Sequence, residues 1–221
     1  MESSKRILRK KNNCGNAVVC GLCKKSMNND KRSLLDSIQQ IRDLFELHHI
    51  KYFVGGSMML YLRGVEVDVH DIDILVDQMD YIRASRLLGS IAKPVEKEPN
   101  SIYQTTYFQM YQMGDISIDI MAEFKVSIKD DALFHYPSLM LVGDKMVHPI
   151  VGNIELMLLE DWLVIYQLIH RPQKVRDICL YFETQHPTLT RIMSICNCID
   201  NALVSKETYQ EVIQAIDSIQ F

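Results

Sequence analysis

"VGGSMMLYLRGVEVDVHDIDILV" (residues 54–76) opens on a glycine pair behind a short apolar run and closes on two aspartates set among β-branched residues. On a strand, successive side chains point to opposite faces. Asp71 and Asp73 therefore share one face, and Ile72, Ile74 and Val76 share the other. The apolar set suits a core, which leaves the acids together on an open surface. Just upstream, "IKYFV" (50–54) reads as a buried strand and Gly55-Gly56-Ser57 as the turn out of it. "MMLYLR" (58–63) then reads as a short helix that Gly64 can terminate.

"DISIDIM" (115–121) repeats the pattern, with Ile116, Ile118 and Ile120 on one face and Asp115, Ser117, Asp119 and Met121 on the other. If the two strands are neighbours, Asp119 stands beside Asp71 and Asp73. Aspartate is disfavoured in strands, and like charges side by side in a sheet destabilise it. A divalent cation compensates: hard oxygen ligands suit Mg²⁺, and three carboxylates on one face can hold two ions about 3.5–4 Å apart. The plainer alternative is a solvated sheet face that its acids keep soluble. Gly55 and Gly56 lie between strand and helix, where backbone N–H groups and the Ser57 hydroxyl can meet phosphate oxygens. Neither a Walker loop nor a dinucleotide fingerprint is present, because "GGSMML" has the glycine spacing of neither.

Outward from this centre, "NDKRSLLDSIQQIRDLFELHHI" (29–50) places Leu34, Leu35, Ile38, Ile41, Leu44 and Phe45 at three- and four-residue steps, which predicts an amphipathic helix. A second helix is expected across "MDYIRASRLLGSIA" (79–92), followed by a loop from about Pro94 to Asn100. "IYQTTYFQM", "ISIDIM", "FKVSI", "LMLVG" and "KMVHPI" are strand candidates too closely spaced for helices between most of them, so the sheet is mixed. From "NIELMLLEDWLVIYQLI" (153–169) onward the pattern reads as helical. The expected fold is α/β (α+β), a mixed sheet flanked by helices. Three parts are expected: a basic, cysteine-bearing arm over 1–30, the α/β domain that carries the glycines and acids over 31–150, and a helical segment over 151–221.

The 221 residues carry a net charge of −4, but residues 1–32 hold nine Lys/Arg against Glu2 and Asp30, a local +7 that leaves −11 on the remainder. An acidic body disfavours a broad nucleic-acid groove, while the basic arm could touch a phosphate backbone or simply be a solvated terminus. With no long apolar run and no apolar core in the first dozen residues, a soluble cytoplasmic protein without membrane partners is expected. "CGNAVVCGLC" (14–23) offers Cys14, Cys20 and Cys23 as thiolates for a zinc ion, against the ordinary reading of cysteines as small hydrophobes.

Taken in order, "VGGS", "HDIDILV" and "ISIDIM" resemble the nucleotidyltransferase superfamily. That superfamily includes β-type polymerases, CCA-adding enzymes, aminoglycoside and lincosamide nucleotidyltransferases, and the toxin-type enzymes of abortive-infection systems. The resemblance covers about residues 33–180. It implies that Gly55, Gly56 and Ser57 hold the terminal phosphates of a nucleoside triphosphate such as ATP. It also implies that Asp71 and Asp73 hold two Mg²⁺ ions, and that Asp119 binds the catalytic ion and helps to deprotonate the attacking hydroxyl. Asp115, just after Gly114, is the spare acid. "LEDWLVIYQLIHRPQKVRDI" (159–178) is similar to the toxin-type branch at Arg171, Pro172, Asp177 and Ile178, which raises a toxin–antitoxin setting. Gln173 and Lys174 replace that branch's Lys-Asp, and Tyr166 stands where a lysine is common. Lys174 is accordingly either a phosphate ligand or a surface charge.

The implied reaction moves a nucleoside monophosphate onto a hydroxyl of a small molecule, a tRNA end or a protein, with RNA not favoured by the acidic body. Two readings compete with it. One is a catalytically silent member that binds a protein or RNA through its arm and helical tail. The other is a D-x-D glycosyltransferase or phosphatase, against which stands the position of "ILV" after the acids rather than before them. Arg63, His70, His48, His49 and Trp162 are expected in structural roles.

Overall fold

The computed structural model describes residues 21–96, 101–128, 133–136, 141–185 and 187–200, together with 210 and 214. Helix α1 (Gly21–Leu47) already covers the residues ahead of the expected Asn29, and its Leu34, Leu35, Ile38, Ile41 and Phe45 are buried as their spacing requires. The zinc expectation falls on Cys14 and Cys20, outside the described residues, and on Cys23, of which only the place in α1 is described.

After α1 come β1 (Tyr52–Val54), α2 (Gly56–Leu62), β2 (Asp71–Val76), α3 (Gln78–Leu88), β3 (Lys93–Val95), β4 (Tyr107–Met113), β5 (Ile116–Ala122), β6 (Lys125–Ser127) and β7 (Leu133–His135). The hairpin β8 (Gly143–His148) and β9 (Gly152–Met157) follows, and then helices α4 (Leu159–Leu168), α5 (Pro172–Phe182) and α6 (Leu189–Asp200). Seven strands form one sheet in the order β3-β4-β5-β2-β1-β9-β8, while β6 and β7 pair separately. The sheet is mixed, as expected: β2 runs parallel to β5, and β1 antiparallel to β2 and parallel to β9. On one face Ile72, Ile74, Ile118 and Ile120 are fully buried, and α1 and α3 pack over β2 and β5 there. Asp77 caps α3 by accepting the Met79 N–H at 2.9 Å.

Two stretches fold differently from expectation. Residues 152–157 form a strand: Ile154 and Leu156 alternate into the core, and the segment pairs with both β1 and β8, so the sheet runs on to Met157, past the expected boundary at 150. Its apolar residues merge in sequence with those of α4, which hides the change of period. Residues 93–95, expected to be loop, form the edge strand β3, where Pro94 is tolerated because one side of the strand is unpaired.

The helices after β9 are tied together by a buried polar group. The Asp161 carboxylate, fully buried on α4, accepts Arg191 Nε at 2.7 Å and Nη2 at 2.6 Å from α6, and also accepts the Tyr136 hydroxyl. Bidentate pairing holds the Arg191 guanidinium above its ordinary value despite the opposing effect of burial. Glu160 accepts the Thr188 N–H at 2.7 Å, fixing the approach to α6.

Candidate active site

The parallel register of β2 and β5 places Asp73 directly beside Asp119 and Asp71 beside Ser117. Oxygen atoms of Asp71, Asp73 and Asp119 all lie within 4.8 Å of one another. Asp71 and Asp73 are partly exposed and Asp119 is buried. Three hard, anionic oxygen donors that converge from two strands fit a divalent cation such as Mg²⁺. Asp115 lies before β5, in the turn from β4, outside this cluster.

The glycine pair has a packing reason at each position. Gly56 has φ +58, and a Cβ there would come within 1.8 Å of Asp73 Oδ2, so the backbone at the start of α2 lies directly on this carboxylate. A Cβ on Gly55 would come within 2.6 Å of the Trp162 ring, and the Gly55 N–H donates to the Asp73 carbonyl at 2.9 Å. Ser57 thereby enters the same cleft as the acids. Tyr166 lines the cleft beside it, and its phenol is pushed far up by burial and then by the charge of Asp73.

A cleft of about 260 Å³ surrounds these groups, lined by Ser57, His70 and the three aspartates on the sheet side and by Trp162, Tyr166, Arg171 and Lys174 from the helices. Pro172 occupies the first turn of α5, as the Arg171-Pro172 pair predicts, and this turn brings Arg171 and Lys174 to face the carboxylates. Lys174 is thus a half-buried cleft residue. Burial holds its amine below the usual lysine range, with Asp177, Asp68 and Asp71 pulling the other way. The Tyr103 phenol is pushed up to about 12 by burial, then by Asp73, with the charge of Arg171 pulling the other way.

The remaining expectations resolve simply. Arg63 donates to Asp144 at 2.9 Å and to the Met157 carbonyl at 3.2 Å, so it fastens α2 to the β8–β9 hairpin and does not line the cleft. His70 stands at the cleft rim in the loop before β2. Trp162 is core, at 3% exposure, and also cleft wall, with its Nε1–H on the Met157 sulfur. Sequence reading missed Tyr103, Thr105, Phe108 and Phe124, and put Met121 on the acid face without giving it a role in the cleft. A faint signal existed for Phe108 and Met121, which share the aspartate face by strand alternation and cross-strand pairing.

Neither a family model nor a curated protein matches the chain. Among solved structures, it is similar to a provisionally assigned nucleotidyltransferase from Thermotoga maritima, with TM-score 0.53 and 20% identity over 69% of this chain and 94% of that one. The chain has the nucleotidyltransferase fold. ANT(2")-Ia, solved in complex with adenylyl-2"-tobramycin, aligns at TM-score 0.47 and 11% identity over 85% of this chain and 99% of that one. The lincosamide antibiotic adenylyltransferase LnuA, solved with lincomycin, aligns at TM-score 0.38 and 11% identity over 82% and 94% of the two chains. Within the nucleotidyltransferase fold of this chain, β1, α2, β2 and β5 supply the glycines and acids, and α4 and α5 supply the opposing wall.

Proposed function

We propose that the chain is a Mg²⁺-dependent nucleotidyltransferase that moves a nucleoside monophosphate from a nucleoside triphosphate onto an acceptor hydroxyl and releases pyrophosphate. The observation that carries this reading is the meeting of three carboxylates from neighbouring parallel strands with a glycine-serine turn packed directly on one of them. Asp71, Asp73 and Asp119 would hold Mg²⁺, which when bound neutralises phosphate charge and lowers the pKa of a hydroxyl beside it.

Gly55, Gly56 and Ser57 receive the terminal phosphates, with the Ser57 hydroxyl in the same cleft as the acids. Arg171 and Lys174 face the carboxylates across the cleft and supply positive charge to the phosphates from the α5 side. A bond forms between the acceptor oxygen and the α-phosphorus, and the bond from that phosphorus to the bridging oxygen breaks. Pyrophosphate leaves with the electron pair, and Asp119 takes the hydroxyl proton. Asp119 stands one strand farther from α2 than Asp73, which supports its role on the acceptor side of the phosphorus.

Titration calorimetry with each nucleoside triphosphate and Mg²⁺ tests the reading. Saturable heat is expected from the wild type, lost in Asp73→Ala and on chelation. Absence of heat with every nucleotide would remove the proposal. The catalytically silent alternative predicts RNA binding that survives loss of Asp73 and Asp119.

A further inference from the structure

The far wall of the cleft specifies what carries the acceptor hydroxyl. In-line displacement requires attacking oxygen and leaving pyrophosphate on opposite sides of the phosphorus. The strand order fixes that axis: α2 follows β1, the acids stand on β2 and β5, and β4 comes next. With phosphates beside Gly56, the acceptor lies over β5 and β4, where Phe108 pairs with Met121 on the same face as Asp119.

This wall is apolar, and the hydroxyl of Thr105 in it is already engaged. Met121 is buried and Phe108 half-buried. Thr105 Oγ1 donates to the Lys125 carbonyl at 3.4 Å and accepts the Lys125 N–H at 3.3 Å. Arg171 lines the same cleft close enough for its charge to act on Tyr103, so a positive charge reaches this side. Among the described residues lining the cleft, the only acids are the three that converge as metal ligands. An acceptor bearing several ammonium groups therefore meets a cation and a hydrocarbon surface. A ring or alkyl face meets its complement.

Resting on the transfer reaction proposed above, we infer that the acceptor is a small, uncharged hydroxyl compound with an apolar or aromatic face beside its reactive hydroxyl, seated against Phe108 and Met121. A polycationic aminosugar is excluded.

Saturation-transfer NMR tests this with phenyl β-D-glucoside, methyl β-D-glucoside and the polycation kanamycin, each with wild-type protein, Mg²⁺ and a non-hydrolysable nucleoside triphosphate analogue. Phenyl β-D-glucoside is expected to bind about tenfold more tightly than the methyl glucoside, the scale of one aromatic contact. Phe108→Ala abolishes that preference and leaves nucleotide affinity within about twofold. Phe108→Leu, which keeps an apolar side chain, gives an intermediate preference and serves where the alanine variant does not fold. Tighter binding of kanamycin, equal binding of the two glucosides, or a Phe108→Ala effect confined to the nucleotide would each overturn the inference. The last outcome would make the wall a nucleobase site. Glucoside binding through Phe108 without nucleotide uptake would retain the ligand class and discard the transfer reaction, so the two failures are distinguishable.

Discussion

Gly56 couples backbone conformation to the candidate chemistry at a single atom. Its φ of +58 disfavours any L side chain, and an added methyl would occupy the space of Asp73 Oδ2. Gly56→Ala is expected to cost about 1–2 kcal/mol in backbone strain. By displacing Asp73 it should also lower transfer about 100-fold. Gly64→Ala is the control: φ is +85, yet nothing lies within 4 Å of the added Cβ, so stability falls and activity stays. Urea titration and a transfer assay measure both. Lys174 gives a second expectation at this scale. Its amine is held below the usual lysine range by burial, so on raising the pH it loses its proton in the free protein before an exposed lysine would. A bound triphosphate restores the charge. Nucleotide affinity should therefore fall as alkaline pH passes through the lowered value, with proton uptake on binding seen by calorimetry in buffers of different ionisation heat. Lys174→Met should flatten this dependence.

Among the elements, those with a clear period and their own punctuation were legible in the sequence. Alternation alone gives the faces of β2 and β5, and Gly64 and Pro172 mark helix ends where the structure has them. The junction of β9 and α4 was not legible, because an alternating strand runs into an apolar helix without a polar break. Tyr103 illustrates a different loss. It lies outside β4 in a segment tied irregularly to residues 123–127 rather than paired as a strand, so no period announces which way it faces. The β8–β9 hairpin yields its own expectation. His148 Nδ1 accepts the N–H groups of Ile150 and Val151 at 3.3 and 3.2 Å, and burial lowers the imidazole from its ordinary value. The unfolded chain then takes up this proton more readily than the folded one. The contribution is complete above about pH 6.5. It is lost as pH falls through the lowered folded value. His148→Ala should remove that part of the acid destabilisation, as read by thermal melts across pH 5–7.5.

For the whole molecule, the sheet brings together residues nearly fifty positions apart, and the sequence alone left that meeting conditional on strand neighbourhood. The parallel pairing of β2 with β5 creates the site and also a strain, since Asp73 and Asp119 face each other as like charges. Mg²⁺ should raise the melting temperature of the wild type by mass action. In a chelator, Asp119→Asn should be more stable than wild type by about 0.2–1 kcal/mol, the size of a cross-strand charge effect. Its Mg²⁺ response should shrink. A chelator-treated wild type at least as stable as the variant would contradict this.

The neighbouring positions of Asp73 and Asp119 also restrict how the gene can change length. Strand alternation has a period of two, so a single codon gained or lost between Ile116 and Asp119 carries the acid from the cleft to the buried isoleucine face, unless a bulge absorbs it. Changes of two residues preserve parity. The cleft therefore sets an even-number rule on viable insertions within β5, one that deep mutational libraries of indels can count directly.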